Sequence, residues 1–213
     1  LPLLALVVAA LGSRRALYAR LGMTWVIGYL AVGVIAGELA REEGLRLARE
    51  RGHRPEALQA RPSFGNLLLW KIVYRAGDRY FVDAVRLGRP PRVYPGDSIA
   101  ALDLSRDFPW LEGDTVQARD VERFRWFSMG HLAVDPGNPL RIIDVRYSLL
   151  PNEIRGLWSI ELDPEAPPSR HARYRTHRDR SDDTFPQFFA MLRGEALPDE
   201  RQAPDERILP GAG

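Results

Sequence analysis

Metal or nucleophilic chemistry in this chain would have to come from its four histidines and a few polar pairs, because it contains no cysteine. That absence removes disulfides, thiolate zinc sites, iron–sulfur clusters and a cysteine nucleophile. A catalytic metal needs about three clustered ligands and an open position for water. The histidines are His53, His131, His171 and His177, and no H-E-x-x-H, H-x-H or H-D pair occurs. His171 and His177 are six apart in a polar stretch, too far for one helical face, and read as solvent-exposed loop residues. His53 sits among arginines and reads as a solvated loop residue. His131 follows Gly130 at an expected strand start and reads as a partly buried structural histidine. No G-x-S-x-G elbow and no phosphate-binding glycine loop is present.

The polar pairs are more informative. Asp144 and Arg146 are two apart, so on a strand they share a face. They form either a buried hydrogen-bonded pair or part of a cleft contributing an anion-binding arginine, and the structural role is favoured. Asn66 is expected to bond local backbone before a strand, and Trp70 to pack the core. Presenting a substrate is the minority role for both. Ser169–Arg180 (SRHARYRTHRDR) is a basic cluster blunted by Asp179, Asp182 and Asp183. A solvated loop is its default reading, contact with anionic lipid headgroups the second, and nucleic acid the third. Balance of 30 Lys+Arg against 28 Asp+Glu also argues against a dedicated nucleic-acid binder. Lys71 is the one lysine among those cations.

The elements that must position these residues fall into two classes. Leu1–Gly12 is uncharged, and Leu21–Leu39 carries Glu38 as its one charge. A helix over Leu21–Leu39 would be roughly 28 Å long, enough for a bilayer core. The first run is too short to span, which suggests a chain that begins part-way through a transmembrane helix. A signal peptide and a buried helical hairpin of a soluble protein are the rival readings. Gly33 and Gly37 form a G-x-x-x-G pair, here read as the ordinary glycine content of a membrane helix. Arg14, Arg15 and Arg20 precede the helix, while Arg41, Arg46, Arg49, Arg51 and Arg54 follow it. That asymmetry leans the C-terminal domain toward the cytoplasm.

Beyond Pro62 the pattern is strand-rich. Leu67–Arg75 and Arg79–Leu87 are β-branched and aromatic runs joined by Ala76-Gly77-Asp78, a hairpin signal. Ser98–Leu104 is a weaker strand, Thr115–Met129 an amphipathic helix and His131–Val134 a short strand. Pro139–Ser148 and Ile154–Asp163 form a second strand pair. Thr184–Arg193 is a final helix with Thr184 as its N-cap and Pro186 in its first turn. The expected fold is α+β: transmembrane helices followed by a soluble antiparallel β-sheet domain with packed helices. Its expected divisions are a transmembrane helical hairpin over 1–40 with a truncated first helix, a juxtamembrane helix or linker over 41–61, a soluble domain over 62–194 and a disordered tail over 195–213.

Three stretches taken in order resemble one family. Pro62-Ser63-Phe64-Gly65-Asn66-Leu67-Leu68-Leu69-Trp70 resembles a P-x-x-x-N-x-L-x-W signature. Phe124–Gly130 (FRWFSMG) is similar to a W-F-S-x-G segment, and Ile143–Ser148 (IDVRYS) to a D-x-R strand. The family is that of the YfhP/YdjM-type inner-membrane proteins, membrane-bound metal-dependent hydrolases, and the likeness covers Leu1–Asp163. It places Ser148 where the family often has glycine. The family's histidine- and aspartate-rich segments lie in its membrane half and are absent from this chain.

The resemblance implies the C-terminal portion of a multi-pass bacterial inner-membrane hydrolase. Its divalent metal would be held by residues upstream of Leu1, with none bound by this portion, which alone would be inactive. The soluble domain would cover the site or bind a partner, with Asn66, Trp70, Asp144 and Arg146 as candidate binding residues. The expected partners are the lipid bilayer, anionic lipid at 169–180, and no nucleic acid. The alternative is a non-enzymatic membrane-anchored binding or regulatory module, and the third reading a structural scaffold for the membrane helices.

Overall fold

The computed structural model describes residues 15–177 and 183–197. It opens with one continuous helix, α1 (Arg15–Glu50). Its length and composition suffice to cross a membrane. Apolar side chains point outward around its whole N-terminal half: Leu21, Ile27, Leu30, Val34 and Ile35 are 57 % to 74 % exposed. The run Leu1–Gly12 lies outside the described residues. Arg15 and Arg20, expected to precede the helix, are already part of it.

Along one face of its C-terminal half, α1 carries only small residues. Ala36, Ala40 and Ala48 are buried. A Cβ on Gly44 would lie 2.7 Å from Ile72 Cγ2, one on Gly37 would lie 3.3 Å from the Trp70 ring, and Gly33 faces Leu67. This three- and four-residue spacing brings the helix backbone down onto a sheet. The glycine pair Gly33 and Gly37 therefore seats a sheet, a role beyond ordinary membrane-helix composition. The helix stops at Gly52, whose φ of 74° is the left-handed conformation that ends helices.

The sheet beneath α1 is antiparallel, in the order β1 (Ala57–Pro62), β2 (Leu69–Ala76), β3 (Arg79–Arg86), β4 (Arg92–Ala100). Then come a short helix α2 (Leu104–Asp107) and α3 (Val116–Phe127). A second antiparallel sheet follows in the order β5 (Leu132–Asp135), β6 (Asn138–Asp144), β7 (Trp158–Glu161), β8 (Arg173–Thr176). The last helix is α4 (Thr184–Arg193).

Alternation along β2 divides the core. Trp70, Ile72 and Tyr74 face α1, while Val73 clusters with Ala133 and Ile143 of the second sheet and with Val145 just past its strand β6. The outer face of the second sheet packs on Val121 and Phe124 of α3, and α4 covers Leu69, Ala84 and Tyr94 with Phe188 and Met191. The molecule is thus α+β with two four-stranded sheets, where one sheet would have satisfied the sequence pattern.

Several expectations need correction. Of the stretch 41–61, read as a juxtamembrane helix or linker, the part up to Glu50 is helix with Ala48 in the core, while its end is no linker: β1 pairs Arg61 with Lys71. β4 begins at Arg92, before the expected strand, despite Pro95 and Gly96. Asp83, opposite Pro95, accepts from the Gly96 amide at 3.1 Å and so helps hold the irregular edge. Arg173–Thr176, read as loop, is a strand. Asp183 rather than Thr184 occupies the N-cap of α4. Glu195–Leu197, assigned to the tail, pack on the body: the Tyr94 hydroxyl donates to the Glu195 carbonyl at 2.9 Å, and Leu197 joins the α4 cluster. The rest of that tail lies outside the described residues.

Candidate functional site

Between β1 and β2 the chain makes a turn, Ser63–Leu68, shaped by Asn66. Its Oδ1 accepts from the amides of Leu68 (2.9 Å) and Leu69 (2.7 Å), and its Nδ2 donates to Ser63 Oγ and the Phe64 carbonyl. Gly65, with a φ of 66°, supplies the reversal. Trp70 is 4 % exposed and donates from Nε1 to the Leu67 carbonyl at 2.9 Å. Asn66 and Trp70 thus build the turn and its seat on α1, and neither is among the residues that line the cavity beside it.

Beside that turn, on the side of the sheet away from α1, lies a cavity of about 710 Å³. Its walls come from Arg61 and Lys71 of the first sheet, Phe64 and Gly65 of the turn, the segment Arg146–Leu149, and Trp158 of β7. Three of these residues are cations, and they are held differently.

Arg146 is anchored. Its Nε and Nη2 donate to Asp144 Oδ1 (2.9 Å) and Oδ2 (2.7 Å), and its Nη2 also donates to the Phe127 carbonyl. Asp144 is fully buried and accepts the Arg146 amide as well. The strand reading had the two side chains on one face. In fact β6 ends at Asp144, and the chain turns so that Arg146 reaches back to it. Nη1 of Arg146 makes no hydrogen bond among the described residues.

Arg61 is neutralised by no carboxylate among the described residues. Its Nε and Nη2 donate to Gln59 Oε1 and its Nη1 to the Tyr147 hydroxyl, with the guanidinium 4.8 Å from the Tyr147 ring centre. Tyr147 in turn meets Trp158 edge to face at 5.0 Å. Lys71 is 4 % exposed and donates to Ser148 Oγ at 2.7 Å and the Glu153 carbonyl at 2.6 Å. The Ser148 hydroxyl donates in turn to the Leu150 carbonyl. Burial lowers the Lys71 pKa to about 7, against the weaker opposing fields of Glu153 and Asp144. The arrangement is a donor-rich, electropositive recess with aromatic walls. It suits an anionic group carrying an apolar part. Lys71 and Ser148 sit beside that recess as a hydroxyl–amine pair.

Sequence reasoning missed Arg61, Lys71, Tyr147 and Trp158. One signal was available: a lone lysine in the otherwise apolar run Leu67–Val73.

The histidines do not gather. His131 Nδ1 lies 3.0 Å from the Met129 carbonyl and its ring stacks on Tyr80, a structural setting in which burial lowers its pKa. His171 contacts Asp120 at 2.9 Å, and His177 contacts Ser159 at 2.7 Å. His53 corrects the reading of a solvated loop: its ring is 4.3 Å from Phe81 and its Nδ1 is 2.9 Å from the Tyr74 hydroxyl. Among the described residues no three of His, Cys, Asp or Glu come together to hold a metal. The donor set around the cavity does not fit one either. In the basic stretch, Arg170 and Arg175 lie 3.8 Å and 4.0 Å from Asp163 and Glu161. Arg178 and Arg180 lie outside the described residues.

No family model, curated protein or solved structure matches the chain.

Proposed function

We propose that this chain is a membrane-anchored module that holds an anion-binding cavity at the bilayer surface. We place it in a bacterial inner-membrane hydrolase of the kind its three motifs resemble, with the domain on the cytoplasmic side. The observation that carries the reading is α1. Its segment Leu21–Gly37 is uncharged, and its large side chains are exposed on every face. In water such a surface is unfavourable at roughly 25 cal/mol per Å², whereas lipid covers it without cost.

Within such a hydrolase the described residues would bind and position substrate. Any metal would take its ligands from elsewhere in the protein. The rival reading, a non-enzymatic binding or regulatory module, is favoured by one feature. Arg61 and Arg146 are donor-only groups that hold anions but do not transfer protons at ordinary pH.

Alkaline carbonate washing of membranes that carry the full chain tests the anchoring. The chain is expected to stay in the pellet, and its release into the wash would overturn the reading.

A further inference from the structure

Resting on that reading, the geometry points to a specific ligand: we infer that the cavity takes the phosphate-bearing headgroup of an anionic membrane lipid, entering from the bilayer past the turn Ser63–Leu68.

The depth of the turn comes first. Along α1, Gly44 meets Leu58 and Ile72, Gly37 meets Trp70, and Gly33 meets Leu67. The β1–β2 hairpin therefore runs along the helix with its turn toward the apolar half. Gly33 precedes Glu38, the first charge after Arg20, by five residues, or about 7.5 Å of helix rise. If Glu38 marks the headgroup level, Leu67 lies below it, at the acyl boundary. Two further side chains of the turn, Phe64 and Leu68, are 64 % and 48 % exposed. Aromatic and aliphatic side chains exposed at that depth are covered by lipid.

The cavity adjoins this turn, since Phe64 and Gly65 form part of its wall. Its other rim leads by way of Trp158 to Phe127, 6.1 Å away edge to face, at the end of α3. There Trp126, Phe127 and Met129 are exposed, Trp126 by 83 %. A recess flanked by two exposed apolar clusters suits a ligand whose tail stays in the membrane.

The lining selects the headgroup. Arg61 has no carboxylate partner among the described residues, Arg146 has Nη1 uncommitted among them, and Lys71 gains charge when an anion approaches. Guanidinium donors bind phosphate oxygens strongly, more so when partly desolvated. A zwitterionic headgroup brings a cation that this lining has no carboxylate to receive: Asp144 is already taken by Arg146.

The experiment uses the full chain reconstituted in bilayers of mixed phosphatidylcholine and phosphatidylglycerol, then extracted into mild detergent. Retained lipid is read by native mass spectrometry. Wild type is expected to keep phosphatidylglycerol over phosphatidylcholine, and Arg61→Gln to lose that preference by about tenfold. Leu68→Asp, at an exposed position of the turn that does not line the cavity, is expected to cut retention from bilayers while leaving affinity for short-chain, water-soluble phosphatidylglycerol unchanged. Inorganic phosphate is expected to compete weakly. If it displaces the lipid as well as short-chain phosphatidylglycerol does, the site takes free phosphate and the lipid assignment falls. Equal retention of both lipids, or an Arg61→Gln protein that behaves as wild type, also overturns the inference. Release by carbonate would instead sink the anchoring on which it rests.

Discussion

Lys71 interrupts a strand whose neighbours Leu69, Trp70, Ile72 and Val73 are all buried. The chain could have placed an arginine there, as at every other cationic position. A guanidinium stays charged at any ordinary pH, whereas a buried ammonium can give up its proton. With a folded pKa of about 7 and an unfolded value near 10.4, the unfolded chain holds one more proton between those limits. Stability from this group therefore rises with pH across that window, and its burial penalty is fully present below about pH 7. Lys71→Met, of similar length, removes the titration. Thermal unfolding in detergent from pH 6 to pH 10 is expected to show a rising midpoint for wild type and a flatter profile for the variant. A wild-type profile without that rise would mean that Lys71 stays protonated in the folded protein. Ser148, which accepts from Lys71, completes its hydrogen bonding and explains how a lone lysine is tolerated at this depth.

At the level of elements, α1 and the first sheet meet through an absence of side chains. Gly44 faces Ile72 so closely that even one methyl collides with a β-branched residue of limited freedom. Gly44→Val is expected to destabilise the domain by about 2 kcal/mol, because overpacking outweighs the better helix propensity of the new residue. Chemical denaturation in detergent measures it, and an unchanged midpoint would show that helix and sheet slide freely. This seam was legible in part. Ala36, Gly37, Ala40, Gly44 and Ala48 stand at helical spacing in the sequence, yet glycines in an apolar helix read as membrane composition until a sheet is found against them. The β2–β3 hairpin and α3 were legible, since Gly77 reverses the one and Thr115, accepting from the Ala118 amide, caps the other. β1 and β8 were not. Their sequences, ALQARP and RYRT, carry no run of alternating apolar residues, and they form edge strands whose pairing is set by a neighbour. The cavity was the least legible part. Arg61 and Tyr147 are 86 residues apart, and no local pattern announces that two sheets will bring them together.

At the scale of the molecule, one unbroken helix has two unlike halves. Its first half presents apolar side chains outward, and its second half is the lid of the first sheet's core. The junction is fastened at the far end, where Arg51 grips the buried Asp83 through two bonds of 2.7 and 2.8 Å and also donates to the Tyr74 hydroxyl. The hydrogen bonds to Asp83 raise the Arg51 pKa further, so the guanidinium that holds this end stays charged. With no break between the exposed segment and the sheet, the domain is fixed relative to that segment, and under the proposed anchoring the cavity would keep a constant height at the membrane. Two truncations separate the roles. A chain beginning at Glu38 loses the exposed apolar half but keeps Ala40, Gly44 and Ala48 over Ile72 and Tyr74, and is expected to be monomeric and folded without detergent. A chain beginning at Arg51 keeps the Asp83 pair yet leaves Trp70, Ile72, Tyr74 and Val85 uncovered. It is expected to aggregate, because that patch is contiguous and apolar. Size-exclusion chromatography and far-ultraviolet circular dichroism distinguish the two. Should the shorter chain fold as well as the longer one, α1 would be an anchor only, and the height of the cavity above the membrane would no longer be set by the fold.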